Sequence, residues 1–206
     1  MAVEGDAEQV ARTAEQNTDP VDVVQRCAHR ELTLGTAESL TAGALSSRIA
    51  EVPGASAVLL GGVVAYSNQV KYQVLEVSER LLEDNGAVDP DVAASMAVGT
   101  AERCGTDIGI ATTGVAGPEP HQGKDVGTVY LGLACRTEAA ERLGLSLPEG
   151  CAACEKDVHT EQWLAGSLLL DLDGDRAGIR AAAVEAALKL LEDFLLTEPA
   201  GLDTDS

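Results

Sequence analysis

Aromatic side chains are almost missing from this chain: three Tyr, one Trp and one Phe among 206 residues. Its core must therefore be built from Ala, Val and Leu, which interdigitate without the bulk of ring systems. Lysine is nearly as scarce, limited to Lys71, Lys124, Lys156 and Lys189. With 14 Lys plus Arg against 34 Asp plus Glu, the formal charge is -20. Proteins that bind nucleic acid or anionic lipid neutralise phosphates with clustered cations, so neither partner is expected. An acid-rich, lysine-poor surface suits concentrated salt, where screening removes self-repulsion, and a salt-adapted cytoplasm is the expectation.

Other absences narrow the class further. No run reaches the ~18 consecutive apolar residues of a spanning helix. The first 19 residues lack a basic segment followed by an apolar one, which argues against secretion. Five cysteines is an odd number. Cys27 and Cys104 fall on apolar helical faces, the ordinary setting of a buried free thiol in a reducing compartment. What remains is 45% hydrophobic and long enough for one well-buried domain, with no need of disulfides.

Along the chain, residues 1–18 read as an acidic N-terminal arm and 198–206 as an acidic tail, flanking one domain over 19–197. Asp19-Pro20 and Asp89-Pro90 each give an N-cap followed by Pro at the first helical position. They open helices of which the second reaches about Cys104. Strands are expected at 31–38, 57–66, 107–113 and 126–135, with 167–173 as hairpin partner of the last. The 57–66 run reads as a buried strand whose Gly61-Gly62 marks a bulge or close approach. Helices are expected at 41–52, at 69–75 and from about Asp175 to Leu196. Residues 136–166 become a long insertion at the hairpin tip, functional or mobile. Strands alternating with helices predict a three-layer α/β/α sandwich, with helices on both faces of a mixed sheet.

Four segments carry candidate chemistry. TAESLTAG (36–43) stands where a strand hands over to a helix, so Ser39 lies near free N–H groups able to hold a phosphate or an oxyanion. Glu38, Ser39 and Thr41 are equally ordinary capping residues. YSNQVK (66–71) places a Tyr at a strand end and Lys71 in the first turn of the next helix, where a cation opposes the helix dipole. An ammonium near a phenol favours phenolate, a base for a serine hydroxyl. The Gly117–Lys124 segment fails the phosphate-loop pattern, since five residues separate Gly117 from Gly123 and Asp125 follows Lys124. Cys151, Cys154 and His159 have the spacing of three zinc ligands, but Leu164 stands where the fourth belongs; a plain loop is the competing reading.

The blocks TAESLTAG, PGASAVLLGGVVAYSNQVK, NGAV, TTGVAGP, KDVGTVYLGLA and DGDRAGIRAAAVEAAL, in this order, resemble the CinA C-terminal domain family, the nicotinamide-nucleotide amidases. The resemblance covers about residues 20–135 and 167–196. It implies hydrolysis of the carboxamide of nicotinamide mononucleotide to nicotinate mononucleotide and ammonia, a step of pyridine nucleotide salvage that needs no cofactor. The implied catalytic set is Ser39, Tyr66 and Lys71: Lys71 stabilises a Tyr66 phenolate, which deprotonates Ser39. The implied substrate contacts are Glu38, Thr41, Gly43, Asn68, Thr113, Gly114, Gly117, Arg176 and Arg180. The two arginines lie four apart on one helical face, ready to pair with a phosphate. Lys71, Lys124, Arg176 and Arg180 thus gather the scarce cations into the segments of the site. A homodimer is expected, without the upstream partner domain of longer members. Within the motif, Leu40 and Ala42 replace the family's usual Cys and Gly, Ala42 adding a methyl near the oxyanion position, and the glycine-rich stretch after the GP pair shortens to EPHQGK. Those departures keep two alternatives in view, a silent nucleotide-binding or interaction module of the same fold and an amidase for another small amide.

Overall fold

A computed structural model describes residues 18–154 and 162–197. The expected tail, and all of the expected arm but Thr18, lie outside them. Asp19 caps α1 (Pro20–His29), its carboxylate accepting from the Val21 N–H, with Pro20 at the first position. β1 (Leu34–Glu38) is buried throughout and leads through a five-residue loop to α2 (Ala44–Ala50). A short 3-10 turn (Ala55–Ala57) precedes β2 (Leu59–Val64), followed by α3 (Asn68–Gln73), α4 (Glu79–Asn85) and α5 (Pro90–Cys104). Then come β3 (Ile108–Gly114), β4 (Thr128–Arg136), α6 (Thr137–Leu143), β5 (Ala152–Ala153), β6 (Trp163–Asp171) and α7 (Arg176–Leu196).

The sheet is mixed, in the order β2-β1-β3-β4-β6-β5. β1 pairs in parallel with β2 and β3, whereas β3, β4, β6 and β5 run antiparallel to their neighbours. α1, α2 and α7 pack against one another on one side, over a core that includes Leu34, Ile108, Ile110, Leu131 and Leu133. α5 covers the other side, above Ala37, Ala111, Ala134 and Ala165. The α/β class and its layers are as the sequence implied. Under α5 two strand glycines are required by close approach. A Cβ at Gly109 would stand 1.9 Å from the Ala97 carbonyl oxygen, and one at Gly132 1.9 Å from that of Ala93. At these two positions the helix rests on the strands at backbone distance, so no side chain fits there, while Trp163 on the same side packs at the start of β6 and donates to Glu102.

Several boundaries differ from expectation. β2 is an edge strand with alternating exposure, Leu60 and Val64 each 51% exposed, not a buried one. The expected bulge is present, since Leu34 pairs with Leu59 while Gly35 pairs with Gly61. α2 starts at Ala44 because the residues before it form a separate loop, described below. α4 had no counterpart in the reading of the sequence. β6 begins at Trp163, and the described part of the insertion carries α6 and β5. The hairpin extends further than expected because Arg136 pairs with Trp163 and stacks on its ring, 4.8 Å from the centroid. No helix among the described residues is long and apolar enough to cross a membrane.

Candidate active site

β1 has a parallel neighbour on each side, and the chain leaves its carboxyl end for α2 on one face while β2 leads to α5 on the other. Such a divergence opens a crevice beyond the carboxyl ends of the strands. A cleft of about 460 Å³ lies there. Ser39 follows β1, Tyr66 follows β2 and the 115–121 segment follows β3, so three strand ends supply its walls.

Lys71 is the centre of the site. It is 1% exposed, and its Nζ lies 3.2 Å from Ser39 Oγ while donating to the Ala65 carbonyl at 2.7 Å. Burial disfavours the ammonium and lowers its pKa to about 8. At neutral pH the uncharged amine is therefore a sizeable minority species, with its lone pair available to the serine. The helix that carries it is only six residues long, so Lys71 falls in the last turn rather than the first, and the expected clash with the dipole does not arise.

Tyr66 departs from its expected role. It is 57% exposed, and its hydroxyl is bonded at 2.8 Å by Arg176 NH2. Among the described residues it makes no hydrogen bond to Lys71 or Ser39, so the serine meets the lysine directly and not through a phenolate. Arg176 also donates through NH1 to the Gly117 carbonyl at 2.7 Å, tying the start of α7 to two walls of the cleft. Asn68, Thr113, Gly114 and Gly117 line the cleft as well. Thr113 donates its hydroxyl to the Ala87 carbonyl at 2.6 Å, which secures the wall formed by Ala87 and Val88.

Four residues expected to touch substrate instead hold the serine loop from behind. Glu38 is fully buried, and its carboxylate accepts from the N–H groups of Gly43, Leu45 and Ser46 and from the Ser46 hydroxyl. This satisfies the start of α2 in the absence of a side-chain cap and commits the Gly43 N–H. Thr41, also fully buried, pairs its hydroxyl with that of Thr112 at 2.7 Å. Arg180 donates to the carbonyls of Leu40 and Thr41 at 2.8 and 3.0 Å, so it does not pair with Arg176 around a phosphate. Lys124 likewise stays out of the cleft, its Nζ 5.9 Å from the Tyr130 ring centroid. Ser39 and Ala42 use their N–H groups on the Thr112 and Ser39 carbonyls. Among the described residues, the N–H groups of Leu40 and Thr41 have no such partner. Ala42 adopts the left-handed conformation, φ 52°, with its methyl exposed.

Glu119 and His121 also line the cleft, and neither was singled out from the sequence. The signal was topological: the loop after β3 must border the crevice whatever its sequence. Of the zinc candidates, Cys154 donates to Asp91 and burial pushes the Cys151 thiol up to about 11. His159 lies outside the described residues, among which no cluster of three metal-ligating side chains occurs.

Comparison with known proteins gives this arrangement its relatives. The model of the CinA C-terminal domain matches residues 17–161. The chain belongs to the CinA C-terminal domain family. It is 41% identical over 170 residues to a CinA-like protein of Frankia casuarinae, covering 82% of this chain and 33% of that protein. A CinA-like protein of Geotalea uraniireducens is 45% identical over 122 residues, 58% of this chain and 29% of that one. The chain thus spans about a third of the length of the curated relatives it matches. Among solved structures, a CinA superfamily protein from Klebsiella pneumoniae aligns with a TM-score of 0.72 at 27% identity, covering 87% of this chain and 98% of that one. The competence/damage inducible protein CihA from Agrobacterium tumefaciens gives a TM-score of 0.65 at 28% identity, covering 93% and 97%. The match to the CinA C-terminal domain ends before β6 and α7, so Arg176 and Arg180 reach the site from outside the matched segment.

Proposed function

We propose that this CinA C-terminal domain is an amidase that hydrolyses the carboxamide of nicotinamide mononucleotide, releasing nicotinate mononucleotide and ammonia through a Ser39 acyl-enzyme. The observation that carries the reading is the buried Lys71 amine 3.2 Å from the Ser39 hydroxyl, at the floor of an open cleft. A hydroxyl is a poor nucleophile until a base takes its proton, and a lysine whose charged form is disfavoured is such a base.

In this mechanism the neutral Lys71 amine accepts the Ser39 proton as Oγ attacks the amide carbon. The Ala65 carbonyl accepts from the same nitrogen and holds it beside the serine. The oxyanion is met by the N–H groups of Leu40 and Thr41. On collapse the C–N bond breaks, Lys71 returns the proton to the leaving nitrogen and ammonia departs. Water, deprotonated by Lys71, then attacks the ester; the Ser39–acyl bond breaks, Ser39 regains its proton and the carboxylate leaves. Arg176, at the rim with donors to spare, is the contact for the phosphate, and Tyr66 orients that guanidinium instead of serving as base. In a protein of charge -20, an anionic substrate needs such a local cation.

Ammonia release in molar salt, measured over nicotinamide mononucleotide, its riboside, nicotinamide and simple aliphatic amides, tests the proposal. The mononucleotide should be the preferred substrate, and Ser39→Ala should lower its turnover roughly 10³-fold or more. Wild type no faster than Ser39→Ala on every amide would overturn the assignment. Preference for a simple amide would overturn the nucleotide part alone.

A further inference from the structure

Arg180 bonds the loop that follows the nucleophile and does not line the cleft. It is the fifth residue of α7 and half-buried, and its planar guanidinium bonds two successive carbonyls, those of Leu40 and Thr41, through Nε and NH2. In a trans peptide the N–H points opposite to the C=O of the same plane. Gripping the Leu40 carbonyl therefore fixes the direction of the Thr41 N–H, and gripping the Thr41 carbonyl fixes that of the Ala42 N–H. Ala42 closes the turn onto the Ser39 carbonyl at 3.2 Å, while Thr41 is one of the two residues whose N–H has no partner among those described.

We propose that Arg180 is a positioning residue for catalysis: it orients and polarises the peptide planes after Ser39, so that the Thr41 N–H meets the developing oxyanion. The inference rests on the reading of Ser39 as nucleophile. It replaces the substrate contact that the arginine pair implied. A cation bonded to a carbonyl draws electron density through the amide and makes the N–H of that plane a stronger donor. The effect matters most where negative charge develops, so it lies in kcat rather than KM. Lysine retains the charge but cannot fork across two carbonyls.

The test uses two variants and a reagent that reports on the serine without any substrate. Arg180→Ala and Arg180→Lys are compared with wild type for acylation of Ser39 by a fluorophosphonate, with circular dichroism and melting confirming the fold. Ammonia release is measured in parallel. Both variants should label roughly ten- to a hundredfold more slowly, the loss expected when an oxyanion donor is misaligned. Their kcat for ammonia release should fall by a like factor, with KM within about twofold. Millimolar guanidinium should restore a measurable part of the Arg180→Ala rate and none of that of Ser39→Ala. Wild-type labelling rates in either folded variant, or a loss confined to KM, would overturn the proposal while leaving Ser39 as nucleophile. Wild type that is not labelled at Ser39 would overturn the nucleophile and the positioning role with it.

Discussion

The serine loop has two sides, and they differ in chemistry and in how well they hide their charges. Toward the cleft stand Ser39, Lys71 and Arg176, few in number and incompletely satisfied: Lys71 is buried against its own ionisation, and Arg176 keeps donors free among the described residues. Behind the loop stand Glu38, Thr41 and Arg180, each bonded to named partners within the fold. The first side stores instability where chemistry needs it, and the second holds the geometry in place. Substitutions of Lys71 and of Glu38 should therefore fail in opposite ways, whereas Arg180 acts on the chemistry through the geometry it holds.

Lys71→Met is the sharpest way to separate them. Without the amine, turnover should fall roughly 10³-fold or more, measured by ammonia release. Yet the protein should become more stable at pH 7, because burying the ammonium costs about 3 kcal/mol for a lysine lowered from 10.5 to about 8. The Ala65 carbonyl loses its donor, so the net gain in urea unfolding should be about 1–2 kcal/mol. The unfolded chain holds the lysine proton up to about 10.5, the folded one only to about 8, so wild type gains stability as pH rises between those values. The advantage of Lys71→Met should shrink over that window. The same proton governs the chemistry: wild-type kcat/KM should rise through an apparent pKa near 8, since the amine must be neutral to act as base.

Glu38→Ala should fail the other way. Three backbone N–H groups and the Ser46 hydroxyl lose their acceptor in a buried place. The expected cost is about 3–5 kcal/mol in urea unfolding. Activity should fall only as the folded fraction does and as the loop drifts. If Glu38→Ala kept full stability while losing turnover, the division between the two sides would collapse and Glu38 would belong to the cleft.

This division also explains what could be read from the sequence. Asp19-Pro20 and Asp89-Pro90 marked two helix starts because capping is decided within four residues. Ser39 and Lys71 were legible as candidates because a strand-to-helix handover and an isolated lysine are visible locally. Which side of the loop a polar residue serves was not, since Glu38 and Ser39 are adjacent in sequence and face different surroundings. Arg180 illustrates the limit: its partners lie 140 and 139 positions away, and spacing on one helix only pointed it toward Arg176. The edge position of β2 was hidden for a similar reason, because Val- and Leu-rich strands look alike until the sheet order is known.

The smallest effect concerns Ala42, which sits between the two sides. Its φ of 52° lies in the left-handed region, which costs an L residue about 1–2 kcal/mol relative to glycine. Its methyl is exposed and its N–H is used on the Ser39 carbonyl, so the side chain gains little from packing. Ala42→Gly should remove that strain. Part of the gain is lost because glycine gives the unfolded chain more freedom, about 0.4–1 kcal/mol. The net expectation is a stabilisation of roughly 0.5–1 kcal/mol in urea unfolding, with kcat within about twofold of wild type. A large gain in kcat would instead show that the methyl restrains the turn during catalysis, placing Ala42 on the cleft side. A loss of stability would mean that the loop owes its shape to the residue at 42 rather than to the grip of Glu38 and Arg180.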